Sequence, residues 1–187
     1  MRKLPANASL ILVDVQNGFD DGTRTERHNP EAEANIASLI AAWRRSGRPV
    51  RHVQHDSTVT SESFFPGKPG HEFMPEARPV GGEEIFRKKV NSGFIGTGLE
   101  KHLREHEVGT VVIAGLTTNH CVSTTARMAG NLGFETFVVG DACATFPRAT
   151  VSGRVRSAQE VHEAALSDLH GKFGTVIATD QAIGALE

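Results

Sequence analysis

Residues 110–140 have the sequence TVVIAGLTTNHCVSTTARMAGNLGFETFVVG, in which two apolar runs flank a polar segment of helical character. The runs TVVIAG, from Thr110, and ETFVVG, from Glu135, are continuously apolar, which is typical of strands buried on both faces of a parallel sheet. Between them we expect a helix that begins near Asn119 as its N-cap. A strand, a helix and a strand in this order indicate a right-handed crossover between parallel strands.

The same alternation extends along the rest of the chain. Further runs rich in valine and isoleucine are SLILVDV from Ser9, PVRHVQ from Pro49 and GTVIAT from Gly174. The pattern predicts an α/β fold, a three-layer α/β/α sandwich with a mainly parallel, Rossmann-like central sheet. The 187 residues fit one domain, which we expect to span residues 1–187.

Helix boundaries are marked at three further places. The segment NPEAEANIASLIAAWRRSG, residues 29–47, predicts a helix with Asn29 as N-cap and Gly47 as terminator. Capping boxes predict two more helices, one after Thr97 and one after Ser157. The apolar stripe of the first helix consists of Ile36, Leu39, Ile40 and Trp43.

Composition disfavours several classes of partner. The net charge is −2 and no run of five like charges occurs, so we expect no nucleic acid partner. No apolar stretch approaches the roughly 20 residues of a membrane helix, so we expect no membrane partner. The first residues lack a small-residue cleavage site, and Cys121 and Cys143 are the only cysteines. We therefore expect a cytoplasmic protein without a disulfide framework.

One long segment, about residues 56–83, shows neither helical nor strand periodicity and contains FFPGKPG and PEARPVGG. Irregular segments of this length in small domains are usually functional or disordered. We interpret this one as a lid or a substrate-binding loop.

Polar residues follow the apolar runs where a parallel sheet collects its ligands, at the carboxyl ends of the strands. Asp14 ends the first run, and Cys121 follows the run from Thr110. A cysteine in the first turn of a helix is exposed to unpaired N–H groups and to the helix dipole, which favour a nucleophilic thiolate. Lys88 or Lys89 could lower the thiol pKa, and Asp14 could exchange its proton.

Each of these residues also has an ordinary structural interpretation. Cysteines are common in cores, a carboxylate at a strand end often caps a loop, and paired lysines are usually solvated. Spacing alone leaves both interpretations open.

Three ordered segments resemble the isochorismatase-like cysteine hydrolases, a superfamily that includes nicotinamidases and N-carbamoylsarcosine amidases. LILVDVQNGF is similar to the family's first strand, which ends in D-x-Q-x-x-F. KVNSGFIGTGLEKHL is similar to the family's K-x-x-x-S-x-F-x-x-T-x-L block. VVIAGLTTNHCVSTTARMAGNLGFETFVVGDACATF resembles the segment with the nucleophilic cysteine. The resemblance covers about residues 8–180.

By position, the resemblance implies that Asp14 exchanges protons, Lys88 is the cation and Cys121 is the nucleophile. Lys88 is preferred to Lys89 because the family's lysine stands four residues before the serine. The family's cis peptide falls on Leu116-Thr117. The backbone N–H groups of Thr117 and Cys121 are then the expected oxyanion hole.

The implied substrate is a small amide, carbamoyl or ureido compound, and no cofactor is expected. Expected pocket residues are Gln16, Phe19, His55, Phe94 and Asn119. No metal is expected, because the segment HVQHDST after the second strand lacks the Asp-x-His order of metal-bearing relatives. The family generally forms homo-oligomers, dimers or tetramers, and we expect the same here.

Three other functions are alternatives to this hypothesis. A true isochorismatase hydrolyses a vinyl ether, which requires proton delivery but no thiol, so Cys121 favours amide chemistry. A nucleotide-binding or redox domain is disfavoured because the first strand lacks a Gly-rich motif and Cys121 has no C-x-x-C partner. A non-catalytic binding module would not require the complete set of Asp14, Lys88 and Cys121.

Overall fold

The computed structural model describes residues 2–20 and 27–187. The strands are β1 (Ser9–Val13), β2 (Val50–His55), β3 (Glu84–Lys88), β4 (Thr110–Leu116), β5 (Glu135–Ala144), β6 (Arg148–Ala149), β7 (Val155–Arg156) and β8 (Thr175–Ile177). The α-helices are α1 (Ala32–Arg45), α2 (Leu99–Glu105), α3 (Ser123–Asn131), α4 (Ala158–Leu169) and α5 (Thr179–Gly184). A π-helical turn, Thr118–Val122, precedes α3.

Six strands form one parallel sheet in the order β3-β2-β1-β4-β5-β8, and β6 and β7 form a separate antiparallel pair. Every residue of β1 and of β4 is buried, as their continuous apolar runs predict. Because the strand order reverses between β1 and β4, the carboxyl ends of these two strands form the switch point where ligands bind in open α/β sheets.

Helices cover both faces of the sheet. On β1, Leu10 and Leu12 belong to a core that includes Trp43 of α1 and Ala182 of α5. Ile11 and Val13 of the same strand point to the other face. There they share a second core with Leu103 of α2, Ala126 of α3 and Leu169 of α4. The predicted three-layer α/β/α architecture is confirmed.

Helix α1 buries the predicted stripe, and its Trp43 Nε1 donates a hydrogen bond to the Ala8 carbonyl oxygen at 3.1 Å. Its predicted N-cap is wrong, because the helix begins at Ala32 and the preceding residue is Glu31. Asn29 instead has a left-handed φ of 63°. Its side-chain amide donates to the carbonyl oxygens of Asp141 and Cys143, so Asn29 ties the chain to β5.

The two predicted capping boxes have different outcomes. Ser157 and Glu160 form the full reciprocal box at the start of α4. The box at Thr97 is wrong, because α2 begins at Leu99 with Gly98 as its cap residue. The Thr97 hydroxyl accepts from the Leu99 N–H at 3.2 Å and donates to the Gly93 carbonyl oxygen at 2.6 Å, which leaves no reciprocal bond with Glu100.

Strand β3 was not predicted, because its sequence EIFRK is mostly charged and has no apolar run. It lies at the edge of the sheet, where most of its side chains are exposed and only Lys88 is buried. Its register with β2 places Lys88 opposite His55. The edge strand therefore brings a lysine to the carboxyl end of the sheet.

The segment of about residues 56–83 contains two short 3₁₀ turns, Pro69–His71 and Pro75–Ala77. Met74 packs in the core that includes α1, and Gln16 donates a hydrogen bond to the His71 carbonyl oxygen at 2.9 Å.

No helix within residues 2–20 and 27–187 is long and apolar enough to cross a membrane.

A substitution at Gly115 on β4 would test how closely the backbones of β1 and β4 pack. Its φ is 128°, and an added Cβ would lie 2.1 Å from the Val13 carbonyl oxygen. We expect Gly115→Ala to destabilise the fold by about 3 kcal/mol or more, because backbone strain and overpacking add. The control Gly109→Ala, where an added Cβ meets nothing within 4 Å, should change the free energy of unfolding by less than about 1 kcal/mol. Equal urea midpoints for the two variants would contradict this account.

Candidate active site

Four polar side chains meet at the carboxyl ends of the central strands. Asp14 directly follows β1, His55 and Lys88 end β2 and β3, and Cys121 lies in the turn after β4. Because β1 adjoins both β2 and β4, the parallel sheet brings together residues that are far apart in the chain. The switch point between β1 and β4 is therefore polar, although the strands that lead to it are apolar.

Lys88 lies at the centre of this cluster, and its side chain is 0% exposed. Its Nζ donates to Asp14 Oδ2 at 2.7 Å and lies 3.2 Å from His55 Nδ1. The same Nζ lies 3.5 Å from Cys121 Sγ. One ammonium group thus contacts a carboxylate, an imidazole and a thiol.

Asp14 has a left-handed φ of 52° and is 1% exposed. Oδ2 binds Lys88, and among the described residues Oδ1 has no further partner besides the Cys121 thiol, whose hydrogen bond lowers the pKa of the carboxyl. Burial raises the pKa of this carboxyl, and Lys88 opposes that shift. Asp14 therefore combines a fixed position with an open acceptor and a strengthened basicity.

Cys121 does not lie in the first turn of an α-helix. The π-helical turn Thr118–Val122 holds it, and α3 begins only at Ser123. Burial, followed by the Asp14 charge, raises the pKa of the Cys121 thiol to about 12. The expectation that a helix start stabilises a resting thiolate is wrong, because desolvation outweighs the nearby cation. The raised pKa favours the thiol form, so that a base is required to take its proton.

The turn that holds Cys121 is fixed at three points. The peptide bond Leu116-Thr117 is cis. The Thr118 hydroxyl lies 2.9 Å from His162 Nδ1 on α4, and both side chains are buried. Asn119 is not the predicted N-cap, since its Oδ1 accepts a hydrogen bond from the Thr145 hydroxyl at 2.5 Å.

A cavity of about 490 Å³ opens beside Asp14 and Cys121. Three phenylalanines form its apolar wall, with ring centroids 4.7 Å apart for Phe19–Phe64 and 6.3 Å apart for Phe19–Phe146. Its other lining residues are His55, Asn91, Thr117, Asn119, His120, Thr145, Pro147 and Arg148. The volume suits a small organic substrate with an apolar face.

Two predicted pocket residues lie elsewhere. Gln16 is fully buried behind the wall, where its side chain bonds to the backbone of His55 and of His71. Phe94 is a core residue, stacked on Phe134 with ring centroids 6.0 Å apart. The contacts of Gln16 with the backbone of His55 and His71 support a role in orienting the loop after β1 rather than in binding substrate.

Several lining residues are not among the expected pocket residues, among them Phe64, Asn91 and Arg148. Asn91 is three residues after Lys88, so the same block of sequence could have indicated it. Arg148 lies on β6 and has none of the carboxylate partners that hold Arg127 and Arg154. Burial and Lys88 lower the pKa of His55, which favours the neutral imidazole. Arg148 is therefore a cationic side chain on a wall where His55 tends to be uncharged.

Two histidines near the second strand and the following loop bind carboxylates. His52 Nε2 lies 2.8 Å from Glu83 Oε2, and His71 Nε2 lies 2.7 Å from Asp56 Oδ1. Among the described residues no group of three or more His, Cys, Asp or Glu side chains could hold a metal ion.

His162 should make the stability of the protein sensitive to acid. Burial, together with His28, lowers its pKa to about 4. The neutral ring is therefore favoured in the fold, and stability falls as the pH drops from about 6.5, the unfolded value, towards about 4. We expect His162→Asn, which keeps an acceptor near the Thr118 hydroxyl, to reduce this loss by about 2 kcal/mol in urea titrations at pH 7 and pH 4.5. Parallel pH profiles for both proteins would contradict the assignment.

Comparison with known proteins identifies close relatives over the whole domain. Residues 8–181 match the family model of the isochorismatase domain. An uncharacterised isochorismatase family protein of Bacillus subtilis is 45% identical over 175 residues, which cover 94% of each chain. The crystal structure of an isochorismatase family protein of Chromobacterium violaceum superposes with a TM-score of 0.97 at 41% identity, covering 100% of this chain and 96% of that one.

Relatives with named activities include enzymes that act on C–N bonds. The ureidoacrylate amidohydrolase of Methylobacterium radiotolerans is 28% identical over 218 residues, covering 96% of this chain and 81% of the relative. The N-carbamoylsarcosine amidase of Thermoplasma acidophilum has a TM-score of 0.76 at 28% identity, covering 93% of this chain and 97% of that one. The family model and the relatives match almost the whole chain, and the chain belongs to the isochorismatase family of hydrolases.

Proposed function

We propose that the protein is a cysteine hydrolase that cleaves a C–N bond of a small amide, carbamoyl or ureido compound and releases ammonia or an amine. The observation that supports this most directly is the convergence of Asp14, Lys88 and Cys121 at the base of an open cavity. A base, a cation and a thiol in mutual contact are the groups that nucleophilic acyl transfer requires. The named amide hydrolases among its relatives support the same class of reaction.

The first step is attack by sulfur. Asp14 takes the proton from the Cys121 thiol, and Sγ forms a bond to the carbonyl carbon of the substrate. The carbonyl oxygen becomes an oxyanion, which the backbone N–H groups of Thr117 and Cys121 stabilise at the edge of the cavity. Because burial raises the pKa of both groups, the proton moves between a strengthened base and a weakly acidic thiol.

The leaving group then departs. The protonated Asp14 donates to the nitrogen, the C–N bond breaks, and a thioester remains on Cys121. Lys88 stays bound to the carboxyl throughout, so the cation offsets the negative charge that passes from sulfur to oxygen.

Water completes the cycle. Asp14, again a carboxylate, takes a proton from a water molecule whose oxygen attacks the thioester carbon. The C–S bond breaks, sulfur recovers the proton, and the carboxylic or carbamic acid is released. One carboxylate therefore serves as base and acid in both halves of the reaction.

Vinyl ether hydrolysis, the rival within this family, needs a proton donor but no nucleophile. The thiol lies 3.5 Å from the catalytic cation and lines the same cavity as Asp14, a position that covalent catalysis requires and simple proton delivery does not. This arrangement supports amide chemistry.

The catalytic roles can be tested by ammonia release from nicotinamide, carbamoyl, ureido, maleamate-type and lactam compounds. We expect Cys121→Ala and Asp14→Asn to lower kcat by about 10³-fold or more, because each removes a member of one reacting unit. Asparagine tolerates the left-handed φ of Asp14, so the fold should survive.

The control Cys143→Ala removes a buried thiol that does not line the cavity. It should retain activity if it remains folded. Activity in Cys121→Ala comparable to that of the starting protein would exclude the thioester route.

The Arg148 charge predicts a preference among substrates. An anionic group on the substrate would pair with this arginine, which lines the cavity and has no carboxylate partner within residues 2–20 and 27–187. We expect Arg148→Ala to raise KM for carboxylate-bearing amides about 10-fold or more and to change KM for neutral amides little. The control is Arg154→Ala, since Arg154 pairs with Glu160 outside the cavity. An equal KM change for charged and neutral substrates would contradict the prediction.

A further inference from the structure

Asn91 lies in the loop between β3 and α2, three residues after Lys88, and its side chain faces the cavity. Its Nδ2 lies 3.6 Å from Cys121 Sγ. Lys88 Nζ lies 3.5 Å from the same sulfur. Two N–H donors, one charged and one neutral, therefore converge on the atom that becomes the nucleophile.

We propose that Asn91 is a further catalytic residue, whose side-chain amide holds the Cys121 thiolate once Asp14 has taken the proton. The proposal rests on the proposed function for the identity of the nucleophile, and on the contact between Nδ2 and Sγ for the role of Asn91.

The electrostatic surroundings of the sulfur explain why a second donor is needed. Lys88 is shared with Asp14 and with His55, so its charge is already partly compensated before sulfur ionises. The Asp14 carboxylate and burial both raise the thiol pKa, whereas Lys88 and Asn91 lower it. Burial and Lys88 lower the pKa of His55, and Arg148 lies on the cavity wall.

The position of Asn91 suits an amide better than a second charged group. A second lysine would add charge to a site that already contains a buried ammonium, and a carboxylate would repel the thiolate. A neutral N–H donor binds the thiolate selectively, because hydrogen bonds to an ionised acceptor are stronger than those to a neutral one. The hydrogen bond from Asn91 therefore strengthens when the sulfur becomes a thiolate. An interaction that strengthens as the reaction proceeds lowers the barrier to attack.

Alkylation of Cys121 by iodoacetamide tests this role without any substrate. The neutral reagent reacts with the thiolate, and the modified peptide is quantified by mass spectrometry at pH 7 to 10 with Cys121→Ala as blank. Asn91→Leu has a similar bulk and no donor. We expect it to react about tenfold more slowly than the unmodified chain, which corresponds to a thiol pKa about one unit higher.

A second variant separates the donor from simple bulk. Asn91→Asp keeps the shape, removes the donor and adds a negative charge, so it should react more slowly than Asn91→Leu. Asn91 is exposed to the cavity, and neither substitution should disturb the core. The same two substitutions at Asn131, exposed at the end of α3, should leave the rate unchanged.

Slower alkylation in both Asn91 variants, with unchanged Asn131 controls, supports the proposal. A normal or faster rate in Asn91→Leu overturns it, even if Asn91→Asp is slow, because charge alone would then explain the result. A chain that hydrolyses none of the amides but shows both decreases would contradict the proposed function and still support the role of Asn91.

Discussion

A buried ammonium group binds a buried carboxylate at the centre of this protein. Transferring a lysine and an aspartate from water to a protein interior costs several kcal/mol for each ion unless close pairing and further contacts compensate for it. Here the 2.7 Å contact between Lys88 and Asp14, with His55 as a further neighbour of the ammonium, provides that compensation. The ion pair also affects its three neighbours. Because Lys88 binds only Oδ2, Asp14 Oδ1 remains available as an acceptor. The ammonium lowers the pKa of His55 and lies 3.5 Å from the Cys121 sulfur.

The fold is what makes this pair possible. Three parallel strands, β1, β2 and β3, bring Asp14, His55 and Lys88 to one edge of the sheet, and β4 brings the turn with Cys121 to the same edge. Apolar cores on both faces exclude water from the strands, so the polar groups are concentrated at the strand ends. On β1 and β4 the apolar body of the strand packs in the two cores, and the residues that follow the strand, Asp14 and the turn with Cys121, form the site.

The sequence predicts the parts that depend on continuous apolar pattern and on local motifs. The runs of β1, β4 and β5 identify the central sheet, because a strand buried on both faces admits few polar residues. Edge strand β3 does not follow this rule, because most of its side chains are exposed, which allows the charged sequence EIFRK. Asn29 has the residue type of an N-cap but a left-handed backbone and long-range bonds to β5, which no local signal distinguishes.

The same distinction applies to the site. Asp14, Lys88 and Cys121 could be named because they match motifs, yet their contacts arise only when distant segments fold together. Gln16 and Phe94 match the same motifs and lie behind the cavity, because a motif does not specify which side of the wall a side chain occupies. Phe64, Asn91 and Arg148 come from loops and a short hairpin, whose path depends on tertiary packing. The ionisation of Cys121 likewise depends on burial, and this outweighs the local effect expected from a helix start.

In this mechanism Asp14, held by Lys88, takes the proton of the Cys121 thiol, and the sulfur then forms a covalent bond to the substrate. Acid quenching of the enzyme during turnover of a hydrolysed amide, followed by peptide mass spectrometry, measures that bond directly. The account predicts an acyl group on Cys121, equal in mass to the substrate less its leaving amine, that is absent in Asp14→Asn. Rapid product formation with Cys121 unmodified, or the same adduct formed at full rate in Asp14→Asn, would contradict it.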